Sequence, residues 1–250
     1  MLQIQPVYKN KEAFAALAAR EGFSYEVLEL SMPHPPGFDP EVVTNWYRTQ
    51  NKTTSIHGLF IDVNPASGNK GVAAVSKMQM RESCELAKGL GAENVVFHCS
   101  CFPFLRAGYL EFWAETCAQI YRALADEFQL NLFIENSMDV DPTPLRTLMA
   151  KTDHPNVQVC LDLGHANYSR VKPETWIDEL GDHIGYIHLS DNMGRFDDHL
   201  PIGEGTVNWI NIDAKLKSLN KNIPATLEVG DINGIEKSLT YIKTNHLFGY

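Results

Sequence analysis

The residues best suited to chemistry in this chain are histidines and carboxylates that follow short apolar runs. Five of the nine histidines and four carboxylates lie at or just beyond the ends of such runs. In chain order they are His57, His98, Glu135, Asp162, His165, His188, Asp197, His199 and Glu228. Imidazole and carboxylate are the ligands of borderline and hard divalent cations, so this set predicts a catalytic metal site.

These residues can meet only if the fold brings the ends of the runs together. Short β-type runs alternate with longer helical segments about eight times, and no Gly/Ser linker interrupts them. Their near-continuous apolar character is typical of parallel strands that helices cover. Eight such units in 250 residues predict an α/β fold, a single (β/α)8 TIM barrel over residues 1–250 with the metal site at its C-terminal face. An open sheet would gather only a few of the ligands.

Taken singly, each candidate has a simpler explanation. A histidine at a strand end is usually a hydrogen-bonded core or rim residue, and Glu135 or Glu228 alone could cap the helix that follows it. The argument for a metal is that the candidates occur together: six successive strands, from the third to the eighth, each end in a residue type that binds metals. Four carboxylates in one barrel mouth would also repel one another without a cation.

Composition narrows the classes of partner and location. The net charge is −10 and no run of five or more basic residues occurs, which argues against a generic nucleic-acid surface. The absence of a run of about 18 apolar residues and of a signal-like start predicts a cytoplasmic protein without a membrane anchor. The five cysteines are scattered and form no C-x-x-C pair, as is usual for reduced thiols.

Five stretches of the sequence resemble one known family. They are residues 133–136 (FIEN), 160–166 (CLDLGHA), 187–192 (IHLSDN), 197–205 (DDHLPIGEG) and 227–229 (LEV). In order and spacing they are similar to the xylose-isomerase-like TIM barrels. That superfamily contains sugar and sugar-phosphate isomerases and epimerases, and the endonuclease IV class of AP endonucleases. The resemblance covers nearly the whole chain and is strongest from Asn131 to Val229.

The resemblance to the sugar epimerases implies a site for one ion. In those enzymes an Mn²⁺-type ion is held by four residues, which match Glu135, Asp162, His188 and Glu228. Zn²⁺, Co²⁺ or Mg²⁺ would suit the same donors. Glu135 and Glu228 would then be catalytic, one removing a C–H proton next to a carbonyl and the other returning it on the opposite side of the sugar.

Three residues are candidates for substrate binding. By the same resemblance His165 contacts the substrate, and His98 is a second candidate. Arg195, seven residues after His188, is placed to anchor a hydroxyl or a phosphate, with a solvated loop arginine as the equal alternative.

The resemblance to endonuclease IV implies a polynuclear site. All nine ligands of its cluster of three Zn²⁺ ions have a match, namely the four residues above and His57, His98, His165, Asp197 and His199. Such a cluster holds a phosphodiester and generates hydroxide for in-line attack. Three divalent ions would leave a charge of about +2, which suits a phosphate, whereas one ion would leave about −1, which suits a neutral sugar.

The loops around the predicted mouth favour the sugar. A nuclease that acts on duplex DNA needs basic loops, whereas residues 62–71 hold one lysine, 136–142 none and 192–205 one arginine beside three acids. We therefore predict a divalent-metal-dependent sugar or sugar-phosphate isomerase or epimerase that transfers a proton through an enediolate. The alternatives are an endonuclease IV-like phosphodiesterase, a metal-dependent dehydratase or lyase, and a non-enzymatic scaffold. The expected partner is a small sugar or sugar phosphate rather than nucleic acid, and homo-oligomerisation is a further expectation.

Overall fold

The eight strands close into one parallel barrel. The structure is a computed structural model that describes residues 2–34, 36–102, 105 and 108–250. Its strands are β1 (Leu2–Ile4), β2 (Ser24–Val27), β3 (Thr53–His57), β4 (Asn94–His98), β5 (Asn131–Glu135), β6 (Val157–Asp162), β7 (Ile184–Leu189) and β8 (Ala225–Leu227). Each strand pairs in parallel with the next, and β1 also pairs with β8. The predicted TIM barrel is confirmed.

Helices alternate with the strands and cover the outside of the barrel. They are α1 (Lys11–Glu21), α2 (Pro40–Gln50), α3 (Lys70–Leu90), α4 (Tyr109–Phe128), α5 (Thr143–Thr152), α6 (Leu163–Tyr168), α7 (Pro173–Leu180), α8 (Trp209–Ser218) and α9 (Ile232–Thr244). The main core lies between the helices and the barrel and includes the fully buried Trp113 and Trp176. Over the described ranges, no helix has both the length and the apolar character to cross a membrane.

Local capping explains where several helices begin. Asp39 accepts hydrogen bonds from the backbone of Glu41 and Val42, and Pro40 occupies the first helical position of α2, where its missing N–H costs nothing. Asp162 ends β6 and at once caps α6, because its Oδ1 accepts from the backbone N–H of His165. This cap fixes one oxygen of Asp162 and leaves the other free to face the barrel axis.

The inside of the barrel has an apolar and a polar side. Side chains alternate across a strand, so the residue two positions before each strand-end ligand also points inward. On β4 to β7 these residues form a separate buried cluster of Val96, Phe133, Cys160 and Tyr186. The polar side, formed by β2, β3 and β8, buries Glu26, Ser55 and Thr226, and the hydroxyl of Tyr186 contacts all three. The hydroxyl of Tyr186 therefore ties the apolar side to the polar side beneath the strand ends.

Candidate metal centre

All nine sequence-predicted ligand residues lie at the C-terminal end of the barrel. They are the last residues of four strands (His57, His98, Glu135 and Asp162), His188 within β7, Glu228 directly after β8, His165 in α6, and Asp197 and His199 in the loop after β7. A continuous set of side-chain contacts no longer than 3.4 Å joins eight of them. Asp162 is 3.8 Å from His165 and 4.0 Å from His188, so the whole set forms one cluster.

The innermost group consists of the four residues predicted to hold a single ion. One donor atom from each lies within 4.8 Å of the others in the set Glu135, Asp162, His188 and Glu228. Nδ1 of His188 lies 3.1 Å from Oε1 of Glu135 and 3.4 Å from Oε2 of Glu228. None of the four is more than 5% exposed. Three carboxylates therefore converge with one imidazole in a buried site, which suits Mn²⁺, Co²⁺, Zn²⁺ or Mg²⁺.

Two oxygens of this group fit a cation better than they fit a protein donor. Among the residues that the structure describes, Oδ2 of Asp162 and Oε2 of Glu135 are buried and accept no hydrogen bond. Oε2 of Glu135 lies 3.3 Å from Nε2 of both His57 and His98, without the geometry of a hydrogen bond to either. An unsatisfied buried acceptor costs about 1–3 kcal/mol, and more when it is charged. A divalent ion in the innermost group would satisfy Oδ2 of Asp162, and Oε2 of Glu135 faces the second group of donors described next.

Two further groups adjoin the first. His57, His98 and Glu135 offer a second set of donor atoms that all lie within 4.8 Å of one another. On the other side, Oδ2 of Asp197 lies 3.1 Å from Nε2 of His165 and 3.0 Å from Nε2 of His199. Glu135 belongs to both the first and the second group, so its two oxygens face different neighbours.

The outer nitrogens of three histidines are held by backbone carbonyls. Nδ1 of His57 is 3.0 Å from the carbonyl oxygen of Gly58, Nδ1 of His165 is 2.6 Å from that of Asn136, and Nδ1 of His199 is 2.8 Å from that of Glu228. A carbonyl only accepts, so each Nδ1 carries the proton when the ring is neutral. Each Nε2 is then left as a lone pair that faces a carboxylate, the arrangement usual for metal-ligating histidine.

Burial and charge shift the pKa values of this cluster in opposite directions. Burial raises the pKa of Asp162 to about 7 and lowers the pKa of His98 to about 3. Burial also opposes charge on Glu135 and His188, but each stabilises the charged form of the other. The pKa of Glu135 therefore falls well below its usual value, and that of His188 rises well above. Without a cation, protonated His188 therefore balances part of the carboxylate charge.

The loop that carries Asp197 and His199 is fastened by the buried side chain of Asp191. Its Oδ1 accepts from the backbone N–H of Val207, and its Oδ2 accepts from the N–H of Gly203 and from Nε1 of Trp209. Backbone bonds of 2.9 and 2.8 Å also join Asp191 to Leu200 in both directions. The loop is therefore tied down at both ends, which explains why its ligands stay close to the strand-borne residues.

The other predicted substrate contacts differ in position. His98 is partly buried and stacks on Phe60, with ring centroids 4.5 Å apart. Arg195 is exposed in the loop after β7, and no hydrogen bond or ion pair joins it to the described part of the site. The structure thus brings His98 and His165 to the metal centre but leaves Arg195 at its rim.

Sequence reasoning missed two residues beneath the centre. Glu26 on β2 is completely buried and lies 3.1 Å from Nε2 of His188. Gln5, just after β1, donates to Glu26 at 2.8 Å and to Glu228 at 2.5 Å. The available sequence signal was the charged Glu26 between Tyr25 and Val27 of a strand-like run. A fully buried glutamate is rare unless it is paired, so such a position indicates a buried partner.

Comparisons with known proteins agree with the architecture. The family model described as xylose isomerase-like TIM barrel matches residues 4–245. The uncharacterized protein MJ1311 of Methanocaldococcus jannaschii is 30% identical over 201 residues, which is 75% of this chain and 68% of that protein.

Two solved structures share the fold along most of their length. The TTHB071 protein of Thermus thermophilus, in a crystal soaked with ZnCl2, has a TM-score of 0.78 at 23% identity and covers 98% of this chain and 97% of its own. A D-tagatose 3-epimerase-like protein has a TM-score of 0.70 at 24% identity and covers 98% of this chain and 87% of its own. With the family model matched over almost all of its length, the chain belongs to the xylose isomerase-like TIM barrel family.

Proposed function

We propose that this protein is a divalent-metal-dependent isomerase or epimerase of a sugar or sugar phosphate. The observation that carries the proposal is the buried group of Glu135, Asp162, His188 and Glu228, whose donor atoms lie within 4.8 Å of one another. The structural similarity to a D-tagatose 3-epimerase-like protein supports a sugar as the substrate class. The fold alone would not, because TIM barrels support many unrelated reactions.

The donor set favours Mn²⁺ as the cofactor. Three carboxylates and one imidazole form a mainly oxygen site, which Mn²⁺ accepts readily and which Co²⁺, Mg²⁺ and Zn²⁺ also tolerate. When bound, the ion stabilises negative charge on neighbouring oxygens of the substrate. One divalent ion against three carboxylates leaves about −1, which suits an uncharged sugar better than a phosphate at the centre itself.

The two glutamates are suited to move the proton. Isomerisation and epimerisation both remove a C–H proton next to a carbonyl and return a proton to the same or a neighbouring carbon, through an enediolate. Glu135 and Glu228 are carried by β5 and β8, three strands apart around the barrel, so they approach a bound sugar from different sides. Oε2 of Glu135 accepts no hydrogen bond within the described residues, which leaves a lone pair available to take a proton.

Burial of the centre supports proton transfer in another way. His188 is fully buried and His165 is 6% exposed, so bulk water has little access to the floor of the site. A dry site strengthens every charge interaction with the substrate and protects a reactive enediolate from stray protons.

A second candidate is a phosphodiesterase with a polynuclear zinc centre. The observation that favours it is the presentation of Nε2 by His57, His165 and His199, each with Nδ1 held by a backbone carbonyl. A single-ion epimerase does not require these three to be prepared as ligands. Three ions would also give the positive charge that a phosphodiester needs.

Metal content and two reactions separate the candidates. The protein is purified without chelator or added metal, its metals are quantified, and solvent deuterium incorporation is followed across a panel of ketoses and their phosphates. We expect about one Mn, Co or Mg per chain and deuterium at the carbon next to the carbonyl, with Glu135→Gln as the inactive control. About three zinc ions per chain, with cleavage of DNA that contains an abasic site and no deuterium exchange, would overturn the proposal in favour of the second candidate.

A further inference from the structure

Strand β2 carries none of the predicted metal ligands, but its Glu26 lies directly behind the predicted ligand His188. Both oxygens of Glu26 lie near Nε2 of His188, at 3.1 and 3.2 Å, on the side of the ring opposite Nδ1. Nδ1 faces Glu135 and Glu228 in the innermost group. The imidazole of His188 is therefore clamped between a supporting carboxylate and the predicted ion.

Glu26 is itself held rigidly from several directions. Gln5 donates to Oε1 at 2.8 Å, and the hydroxyls of Tyr186 and Thr226 donate to Oε2 at 2.8 and 3.0 Å. These donors come from three different strands or their ends, so the carboxylate cannot turn without breaking bonds across the barrel. A buried carboxylate with this many donors is satisfied without a metal of its own.

His188 is unusual among the histidines of the centre. The outer nitrogens of His57, His165 and His199 face backbone carbonyls through Nδ1, whereas His188 presents Nε2 to a side-chain carboxylate. A carboxylate only accepts, so in a neutral ring the proton of His188 stays on Nε2 and the lone pair is on Nδ1. The contact thus selects the tautomer that a metal at the innermost group requires.

We propose that Glu26 is a positioning residue of the metal centre, which orients His188 directly and Glu228 through Gln5. The second link is the amide of Gln5, which donates to both Glu26 and Glu228. Glu26 does not itself reach the substrate, because His188 lies between it and the innermost group. The inference rests on the metal site of the proposed function, but not on the identity of the reaction.

Glu26→Gln tests the inference with little change in volume. With Gln5 still donating to the new carbonyl oxygen, the other of the two acceptors that face Nε2 of His188 becomes an NH2 donor, and the negative charge behind the ring is lost. We expect the affinity for Co²⁺ to fall about 10- to 100-fold and the visible absorption of bound Co²⁺ to change, since loss of such support has effects of this size.

Tyr186→Phe is the matched control. It removes one donor to the same carboxylate in the same buried layer and keeps the aromatic ring, whose centroid is 5.6 Å from that of His188. We expect its Co²⁺ affinity to stay within about threefold of wild type, with a thermal stability similar to that of Glu26→Gln. If Glu26 only stabilises the fold, Glu26→Gln and Tyr186→Phe should have the same affinity for Co²⁺.

A second variant covers the case in which Glu26→Gln does not fold. Gln5 is only partly buried, so Gln5→Met carries less risk, and it removes the donor to Glu228. We expect a loss of Co²⁺ affinity of about threefold to tenfold. Wild-type protein that takes up no Co²⁺ overturns the proposed metal site and this inference with it. If wild type binds Co²⁺ and all folded variants match it in affinity and spectrum, the inference alone is overturned.

Discussion

Binding of one divalent ion should release protons, because the pKa values of two of its ligands, Asp162 and His188, are raised in the metal-free protein. Burial raises the pKa of Asp162 to about 7, so about half of this group is protonated at pH 7. Burial opposes charge on His188, but Glu228, Glu26 and Glu135 raise its pKa well above the usual value. Both residues bind metal only when Oδ2 and Nδ1 are deprotonated. Loading at pH 7 should therefore release about 1.5 protons per ion, about 0.5 from Asp162 and about 1 from His188.

The affinity for the ion should accordingly rise with pH. The slope of log affinity against pH equals the number of protons released, and it should fall from about 1.9 at pH 6 to about 1.1 at pH 8 as Asp162 loses its proton. Between pH 6.5 and 7.5 the affinity should increase about 30-fold. Titration calorimetry with Mn²⁺ in buffers of different ionisation enthalpy measures the release directly.

Asp162→Asn is the matched control for this titration. Asparagine keeps an acceptor for the cap of α6 but has no proton to lose, so the release should drop to about 1 per ion at pH 7. An affinity independent of pH would refute the reasoning, and so would an unchanged slope in the variant. A release of three or more protons per ion would show that the neighbouring histidines with raised pKa values also lose protons on binding, and would contradict the assignment of the release to Asp162 and His188 alone.

Three more outcomes follow from the structure. Glu228→Gln should leave the barrel folded and lower deuterium exchange at least about 100-fold, because an amide cannot accept the proton; unchanged exchange contradicts the role of Glu228 as acid or base. Saturation with metal at about 100 times its Kd should raise Tm by roughly 5–10 °C in scanning calorimetry, reversed by a chelator, whereas a Tm indifferent to both would contradict a folded-state metal site. Gly205→Ala should destabilise the protein by about 1–3 kcal/mol in urea unfolding, because the added Cβ overlaps the carboxylate of Asp191 and the backbone of Asn192. Gly230→Ala, where the same atom meets open space, is the control and should be nearly neutral.

The strands that carry ligands could be predicted because two signals coincide in them. In β4 to β7 a run of apolar residues covered on both faces leads into a histidine or carboxylate, so both the strand and its end are visible in the sequence. The short helix α6 was not predicted, since Gly164 is a weak helix former. The structure explains this glycine: a Cβ there would collide with Oγ of Ser190.

The floor of the centre was harder to predict than its ligands. The apolar residues Val27, Leu28 and Leu30 predict a second strand over residues 25–30, but the strand spans Ser24–Val27 and a 3₁₀ turn begins at Glu29. The partners of Glu26 are Gln5, Tyr186 and Thr226, the last of them 200 residues away, and such pairings depend on closure of the barrel rather than on local pattern. The single-domain organisation, the cytoplasmic location and the oligomeric state stay predictions.

The polar floor of the barrel and the loops above it are expected to govern different properties. The floor would set the preference for a cation, and the loops would set the choice of substrate. Support for His188 and Glu228 comes from below, through the buried side chains of Gln5 and Glu26, whereas the loops that follow the strands form the rim of the centre. Under the proposed function, exchange of loop residues other than Asp197 and His199 should change which compounds bind while the preference among cations is preserved. Conversely, substitutions at the floor can retune the cation without altering which compounds enter.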